Sequence, residues 1–161
     1  MHEMFDRIVS LRVCDVMTAS PVTVDSSCSM AEVSSLFASR GLHSAPVVDD
    51  AGRCVGVITA SDFVKRSEVL AQSDQQPHTL CHGEEGILLE PKSYDYVTDC
   101  MSPCVQAVAP ITPLIRAAKI MTSAHLHTIP VIEDHKPVGI LSTLDVVAAL
   151  VNAFEEAKNS I

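Results

Sequence analysis

The sequence predicts an α/β protein of α+β type, built from two pseudo-symmetric strand-helix-strand-strand-helix repeats packed sheet against sheet. Three observations carry this. Val13, Asp15, Met17, Val24, Leu42, His43, Pro46 and Val47 recur as Val97, Asp99, Met101, Val108, Leu126, His127, Pro130 and Val131, always 84 positions later, and Val55, Gly56, Asp62 and Val64 recur 83 positions later as Val138, Gly139, Asp145 and Val147. Self-similarity at a fixed period marks a duplicated structural unit. Within each copy a helical period alternates with short apolar runs bounded by turn residues. Each copy also spans only about 50 to 55 residues, too few to bury a comfortable core alone, so the two should pack together.

The elements follow in order. Val22-Thr23-Val24 reads as a short strand. Ser29-x-x-Glu32 is a capping box opening a helix with Met30, Val33, Leu36 and Phe37 on its apolar face. In the second copy Thr112 serves as N-cap and Pro113 as the first helical residue, ahead of Leu114, Ala117, Ala118 and Met121. Two brief apolar runs then predict a hairpin: Pro46 to Val48 and Val55 to Ile58 around Asp49 to Gly52, and Pro130 to Ile132 and Val138 to Leu141 around Glu133 to Pro137. A closing helix begins near Asp62 and again near Asp145, where Val146, Val147, Leu150, Val151 and Phe154 share a broad face.

This organisation divides the chain into 1–66 (an N-terminal helix and the first repeat), 67–96 (an insertion or linker) and 97–161 (the second repeat and C-terminal helix). The insertion is polar apart from Ile87-Leu88-Leu89, which would either dock it or leave it partly disordered. Of 161 residues, 47% are hydrophobic and 19% charged, a globular composition. Eleven Lys+Arg against twenty Asp+Glu give a net charge of −9, which repels nucleic acid and anionic membranes. No apolar stretch approaches the ~20 residues a bilayer needs, and Met1 to Arg12 lacks a signal-like apolar region, so the expectation is a cytoplasmic protein with no membrane insertion. The six cysteines are then reduced thiols by default. His78, Cys81 and His82 form a weak zinc or redox candidate; no metal site is otherwise expected.

Two copies of Val-x-Asp-x-Met, a helix, His-x-x-Pro-Val, a turn and Gly-hydrophobic-hydrophobic-[Ser/Thr]-x-x-Asp resemble a tandem pair of CBS domains, named after cystathionine β-synthase. The likeness covers about 13 to 66 and 97 to 152. It implies a flattened disc of two repeats, commonly paired into homodimers, with clefts between the copies that bind adenine nucleotides or adenosyl compounds. The family's ribose-binding pattern falls on Thr59 and Asp62 and on Ser142 and Asp145. One carboxylate can accept both hydroxyls of a ribose diol, and a hydrogen bond to a charged group contributes about 1.5 to 3 kcal/mol. By the same resemblance Val24 and Val108, with Val47 and Val131, offer backbone groups and an apolar wall to the purine. His43 and His127 stand where nucleotide-sensing members, such as the regulatory subunit of AMP-activated protein kinase, place a phosphate-contacting histidine. Those members follow it with arginine; Ser44 and Thr128 stand here, leaving Arg40, Arg53, Lys119 or Lys136 to supply positive charge.

Each residue also has a purely structural reading. Thr59-x-x-Asp62 and Ser142-x-x-Asp145 match the capping-box template, and capping and ligand binding can coexist. His43 and His127 could be partly buried and bonded to backbone. Gly56 and Gly139 read as sites of close backbone approach, Met17, Met101 and Met121 as core filler, and Asp15 and Asp99 as caps of the turn before each Met. No catalytic constellation is present, so no enzyme is expected. The leading expectation is a regulatory module that requires no cofactor and senses AMP, ADP or ATP; the alternatives are an S-adenosylmethionine binder and a ligand-free homodimeric scaffold acting on a downstream protein.

Overall fold

The computed structural model describes residues 7–73, 95–104 and 106–159. The readings placed on Ile87 to Leu89 and on His78, Cys81 and His82 lie outside the described residues. In chain order, a 3-10 turn at Val13–Asp15 leads to β1 (Thr18–Ala19), β2 (Val24–Asp25), α1 (Met30–Arg40), β3 (Ser44–Val48), β4 (Cys54–Thr59) and α2 (Ala60–Ser73). The second copy repeats the plan with α3 (Val97–Cys100), β5 (Ser102–Pro103), α4 (Leu114–Ser123), β6 (Thr128–Glu133), β7 (Lys136–Ser142) and α5 (Thr143–Asn159).

The expected hairpins are present. β3 pairs antiparallel with β4, Ala45 facing Ile58, and β6 with β7, Ile129 facing Leu141. Their turns differ because the second copy is one residue shorter. Asp49 ties the first turn by accepting from the Ala51 and Arg53 N–H groups at 3.0 and 2.9 Å, while Gly52 takes φ +75°. The second turn needs only Asp134 and His135, both left-handed at φ 48° and 65°, the backbone a two-residue hairpin loop demands.

The helix starts agree with the sequence in one copy and not in the other. Ser29 and Glu32 form the full capping box on α1, with Ser29 N–H donating to Glu32 Oε2 at 2.8 Å. Thr112 does not cap α4: the N-cap is Pro113, with no side-chain cap bond. The Thr112 hydroxyl instead accepts from Ala109 N–H at 3.1 Å, and Leu114 N–H is satisfied by the Leu11 carbonyl at 2.9 Å. A long-range backbone contact has replaced the local cap. Similarly Asp15 accepts from Arg12 N–H at 2.7 Å as expected, whereas the helical turn above Asp99 has no side-chain cap bond. The first strand is also displaced: pairing begins at Val24, opposite Val47, and leaves Val22 and Thr23 outside it.

The opening segment of each copy joins the sheet of the other. β5 pairs antiparallel with β4, completing a β2-β3-β4-β5 sheet, and β1 pairs with β7 in a β1-β7-β6 sheet extended by the Val108–Val131 bridge. Each hairpin would otherwise present a bare edge. The cores are exchanged too. Val97 is buried with Val24, Met30, Val33, Ala45, Val47 and Ile58, and Val13 with Val108, Leu114, Ala117, Met121, Ile129, Val131 and Leu141. Full burial of one such valine contributes about 1.5 to 3 kcal/mol, so each copy directly stabilises its twin. The sheets meet along their hairpins, where β3 lies against β7 and Cys54 N–H donates to the His135 carbonyl at 2.9 Å.

Gly56 and Gly139 sit where the exchanged segments cross. A Cβ on Gly56 would meet Met101 Sδ at 2.5 Å and the Ser102 carbonyl at 2.8 Å; one on Gly139 would collide with Met17. The close approach expected of these glycines is therefore to the other copy. Met121 is fully in the core, while Met17 and Met101 pack at its margin.

Candidate functional site

A cleft of about 480 Å³ opens between the two copies. Its first wall is the junction of β4 and α2, where the chain must turn from strand to helix and the first helical N–H groups lack partners. Thr59 and Asp62 resolve that need. Asp62 Oδ2 accepts from Thr59 N–H at 2.8 Å and from the Thr59 hydroxyl at 2.7 Å. The side chain is only 3% exposed yet lines the cleft. Its other oxygen, Oδ1, faces Lys65 Nζ at 3.5 Å, and Lys65 itself is 71% exposed. Such an exposed ammonium is worth little as a fixed partner and is free to turn toward an anion. Capping thus consumes one carboxylate oxygen, while the second is engaged by the exposed Lys65 ammonium.

The opposite wall comes from the second copy, through Ser102, Cys104, Gln106 and the loop from His125 to Thr128. His43 and His127 both line this one cleft and both are exposed, so the partly buried alternative does not hold. Their backbones are fixed by the helices that follow: the His43 carbonyl accepts from Ala60 N–H at 2.9 Å and the His127 carbonyl from Thr143 N–H at 3.0 Å. Each histidine backbone is thereby pinned beside the N-terminus of a closing helix, where the macrodipole favours negative charge. With Lys65 and His125 they make a rim able to bind anions on a protein whose net charge is −9.

Ser142 and Asp145 repeat the capping geometry but do not line this cleft. Asp145 Oδ2 accepts from Ser142 N–H and from its hydroxyl, both at 2.7 Å, and Asp145 N–H donates back to Ser142 Oγ at 3.2 Å. Val24, Val47, Val108 and Val131 are likewise away from it. They are 0 to 6% exposed and face one another inside the two cores, because parallel pairing of Val24 with Val47 and of Val108 with Val131 turns both members inward. The cleft's apolar surface comes instead from Val57, Pro103, Leu126 and Pro130. Of the cations suggested by the sequence, none lines it. Arg53 is held by Asp49, its Nη2 and Nε each at 2.8 Å from Oδ2, and Lys119 borders a separate depression.

Lys65 and His125 are the residues that sequence reasoning passed over. Lys65 carries only a weak signal, its i+3 spacing from Asp62. His125 carries a better one: the position 84 residues earlier is Gly41. Gly41 adopts φ 62° after α1, and His125 adopts φ 53° after α4. A left-handed conformation is natural for glycine and costs about 1 kcal/mol for a side chain, so the histidine stands out at this position. Among the described residues no group of three or more metal-ligating side chains is gathered, and no helix is long and apolar enough to cross a membrane.

Comparison with known proteins agrees with this architecture. The pattern of the CBS domain matches twice, over residues 13–68 and 97–152. The chain is similar in structure to CBSX2 in complex with AMP, a protein of Arabidopsis thaliana, at 25% identity and a TM-score of 0.69, covering 88% of this chain and 96% of that one. It shares the fold of the CBS domain pair of protein MJ0100 in complex with 5′-methylthioadenosine and S-adenosyl-L-methionine, at 22% identity, a TM-score of 0.69 and coverage of 88% and 97%. The A-adding tRNA nucleotidyltransferase of Aquifex aeolicus is 26% identical over 150 residues, which are 93% of this chain but only 16% of that protein's length. A doubled hairpin unit with exchanged opening strands, matched twice by one domain pattern over most of its length, places the chain in the CBS domain family as a tandem pair.

Proposed function

We propose that the chain is a non-catalytic regulatory module that binds an adenosine-containing metabolite of the AMP, ADP or ATP class between its two repeats. One observation carries the reading: a single cleft gathers a hydroxyl and carboxylate pair, Thr59 and Asp62, with His43, His125, His127 and Lys65. Asp62 Oδ1, which the exposed Lys65 engages at 3.5 Å, suits a ribose hydroxyl once that ammonium turns to a phosphate, and the imidazoles offer further donors to the same phosphate. The likeness to an AMP-bound CBS protein supports the same ligand class. Because both copies line the cleft, a ligand that prefers one arrangement of them shifts the balance by its differential affinity.

Calorimetry with AMP, ADP, ATP and S-adenosylmethionine tests this on the full chain. AMP-class binding is expected, and Asp62→Ala should weaken it about tenfold or more through loss of one charged hydrogen bond. Asp145→Ala should weaken it less. Silence from all four ligands on folded protein removes the reading.

A second reading, the homodimeric scaffold, has its own support. Leu144, Val147, Val151 and Phe154 lie along one side of α5 and are 50 to 74% exposed, and Val64, the counterpart of Val147 on α2, is 61% exposed. Exposed apolar side chains on both closing helices fit a second copy of this chain, and dimerisation is compatible with ligand sensing.

A further inference from the structure

We propose that Cys54 and Cys104 are an oxidation site, closing to a disulfide that ties β4 of the first copy to the opening segment of the second. The two sulfurs lie 3.8 Å apart. The strands that carry them are already paired: Gly56 faces Pro103, Val57 faces Ser102, and Cys104 N–H donates to the Val55 carbonyl at 3.1 Å, which sets Cys104 one residue off from Cys54. With strands about 4.8 Å apart and a rise of about 3.4 Å per residue, that diagonal puts the two Cα atoms about 6 Å apart, within the roughly 4.4 to 6.8 Å that disulfides span, so side-chain rotation can supply most of the closure. The site is also reachable. Both cysteines border a cleft of about 530 Å³ with Asp49, Arg53, Ile132 and His135, and Cys104 lines the nucleotide cleft as well.

The surroundings assign the order of events. Burial and the adjacent Cys104 push the Cys54 thiol up to about 12, and Cys104, which lines both clefts, is the sulfur that an incoming oxidant meets first. With hydrogen peroxide as oxidant, the Cys104 thiolate forms an S–O bond as the O–O bond breaks, and the departing hydroxide takes up the proton that Cys104 released. The Cys54 sulfur then attacks the Cys104 sulfur; the S–S bond forms, the S–O bond breaks, and the oxygen leaves as water with the Cys54 proton. Two thiols lose two electrons and one peroxide becomes two waters. A dithiol reductant reverses the change by exchange. Because Ser102, Pro103, Cys104 and Gln106 line the nucleotide cleft, oxidation fixes that wall against β4.

The test uses the full chain with no nucleotide present, which keeps its outcome separate from that of the binding proposal. Folded protein is treated with stoichiometric peroxide, remaining thiols are alkylated, and the digest is mapped by mass spectrometry. A linked Cys54–Cys104 peptide is expected, absent after dithiothreitol and absent from Cys54→Ser and Cys104→Ser. Closing a loop of this length should raise the melting temperature of the oxidised wild type by about 10 °C, and should not do so in Cys54→Ala. Alkylated Cys54 beside sulfenic Cys104 in folded, peroxide-treated protein overturns the proposal, as does linkage of either cysteine to a different partner. The wild-type map decides the matter even where a variant folds poorly.

Discussion

The crossing of Met101 and Ser102 over Gly56 sets up an unequal pair of substitutions. In Gly56→Ala the new Cβ would meet Met101 Sδ at 2.5 Å and the Ser102 carbonyl at 2.8 Å. The sulfur can swing aside; the carbonyl belongs to β5 and can retreat only if the β4–β5 pairing opens. Overpacking of this kind costs about 1 to 3 kcal/mol, and the upper half of that range applies where backbone must move. In Gly139→Ala the three nearest atoms all belong to the flexible, half-buried Met17 side chain, which can yield without moving backbone, so the cost is about 1 kcal/mol. Replacing glycine also restricts the unfolded chain, returning about 0.4 to 1 kcal/mol in each case. The net expectation is a loss of about 2 kcal/mol for Gly56→Ala and close to zero for Gly139→Ala. With a urea slope near 2 kcal/mol/M, the midpoint of Gly56→Ala falls by about 1 M while that of Gly139→Ala barely moves. Equal midpoints, or a larger drop in Gly139→Ala, would refute the argument that backbone from the second copy is pressed against β4.

Further expectations follow from other sites. Ser29→Ala removes a formed capping box and should cost about 1 kcal/mol in urea unfolding, whereas Thr112→Ala, which caps nothing on α4, should cost less than half as much. Hydrogen bonds from the Ser29 backbone and hydroxyl hold the Glu32 carboxyl below its ordinary 4.5. Its contribution is therefore complete above that value and is lost as the pH falls through the lower folded value, so the melting-temperature gap between wild type and Glu32→Gln should narrow from about pH 6 to about pH 3. His125→Gly relieves a left-handed side chain while loosening the unfolded chain, and should leave the melting temperature within about 3 °C yet weaken AMP binding measured by calorimetry. Val147→Glu places a charge on the apolar side of α5 and should convert a dimer to a monomer by light scattering without loss of helical signal.

Much of the fold was legible because its signals are local. The hairpins follow from apolar runs around Asp49 to Gly52 and Glu133 to Pro137, although the second turn tightens to Asp134 and His135 with Lys136 and Pro137 in the strand; the α1 start follows from Ser29 and Glu32, and the closing helices from the junctions at Thr59 and Ser142. The same locality explains the errors. Thr112 looks like a cap, but the Leu11 carbonyl, about a hundred positions away, already satisfies the helix start. Val24 and Val108 lie on strands expected beside a ligand, yet parallel pairing buries them.

The sequence by itself determined the duplicated unit, its hairpins and the carboxylates that cap its closing helices, since each depends on neighbours within a few residues. Only the tertiary structure decided that β1 and β5 cross to the other copy's sheet, that Asp62 rather than Asp145 faces the described cleft, and that Lys65, His125 and Cys104 stand around it. Those outcomes depend on which bare sheet edge is covered by which distant segment. Contacts between residues half a chain apart leave no period or spacing in the sequence from which that choice can be read.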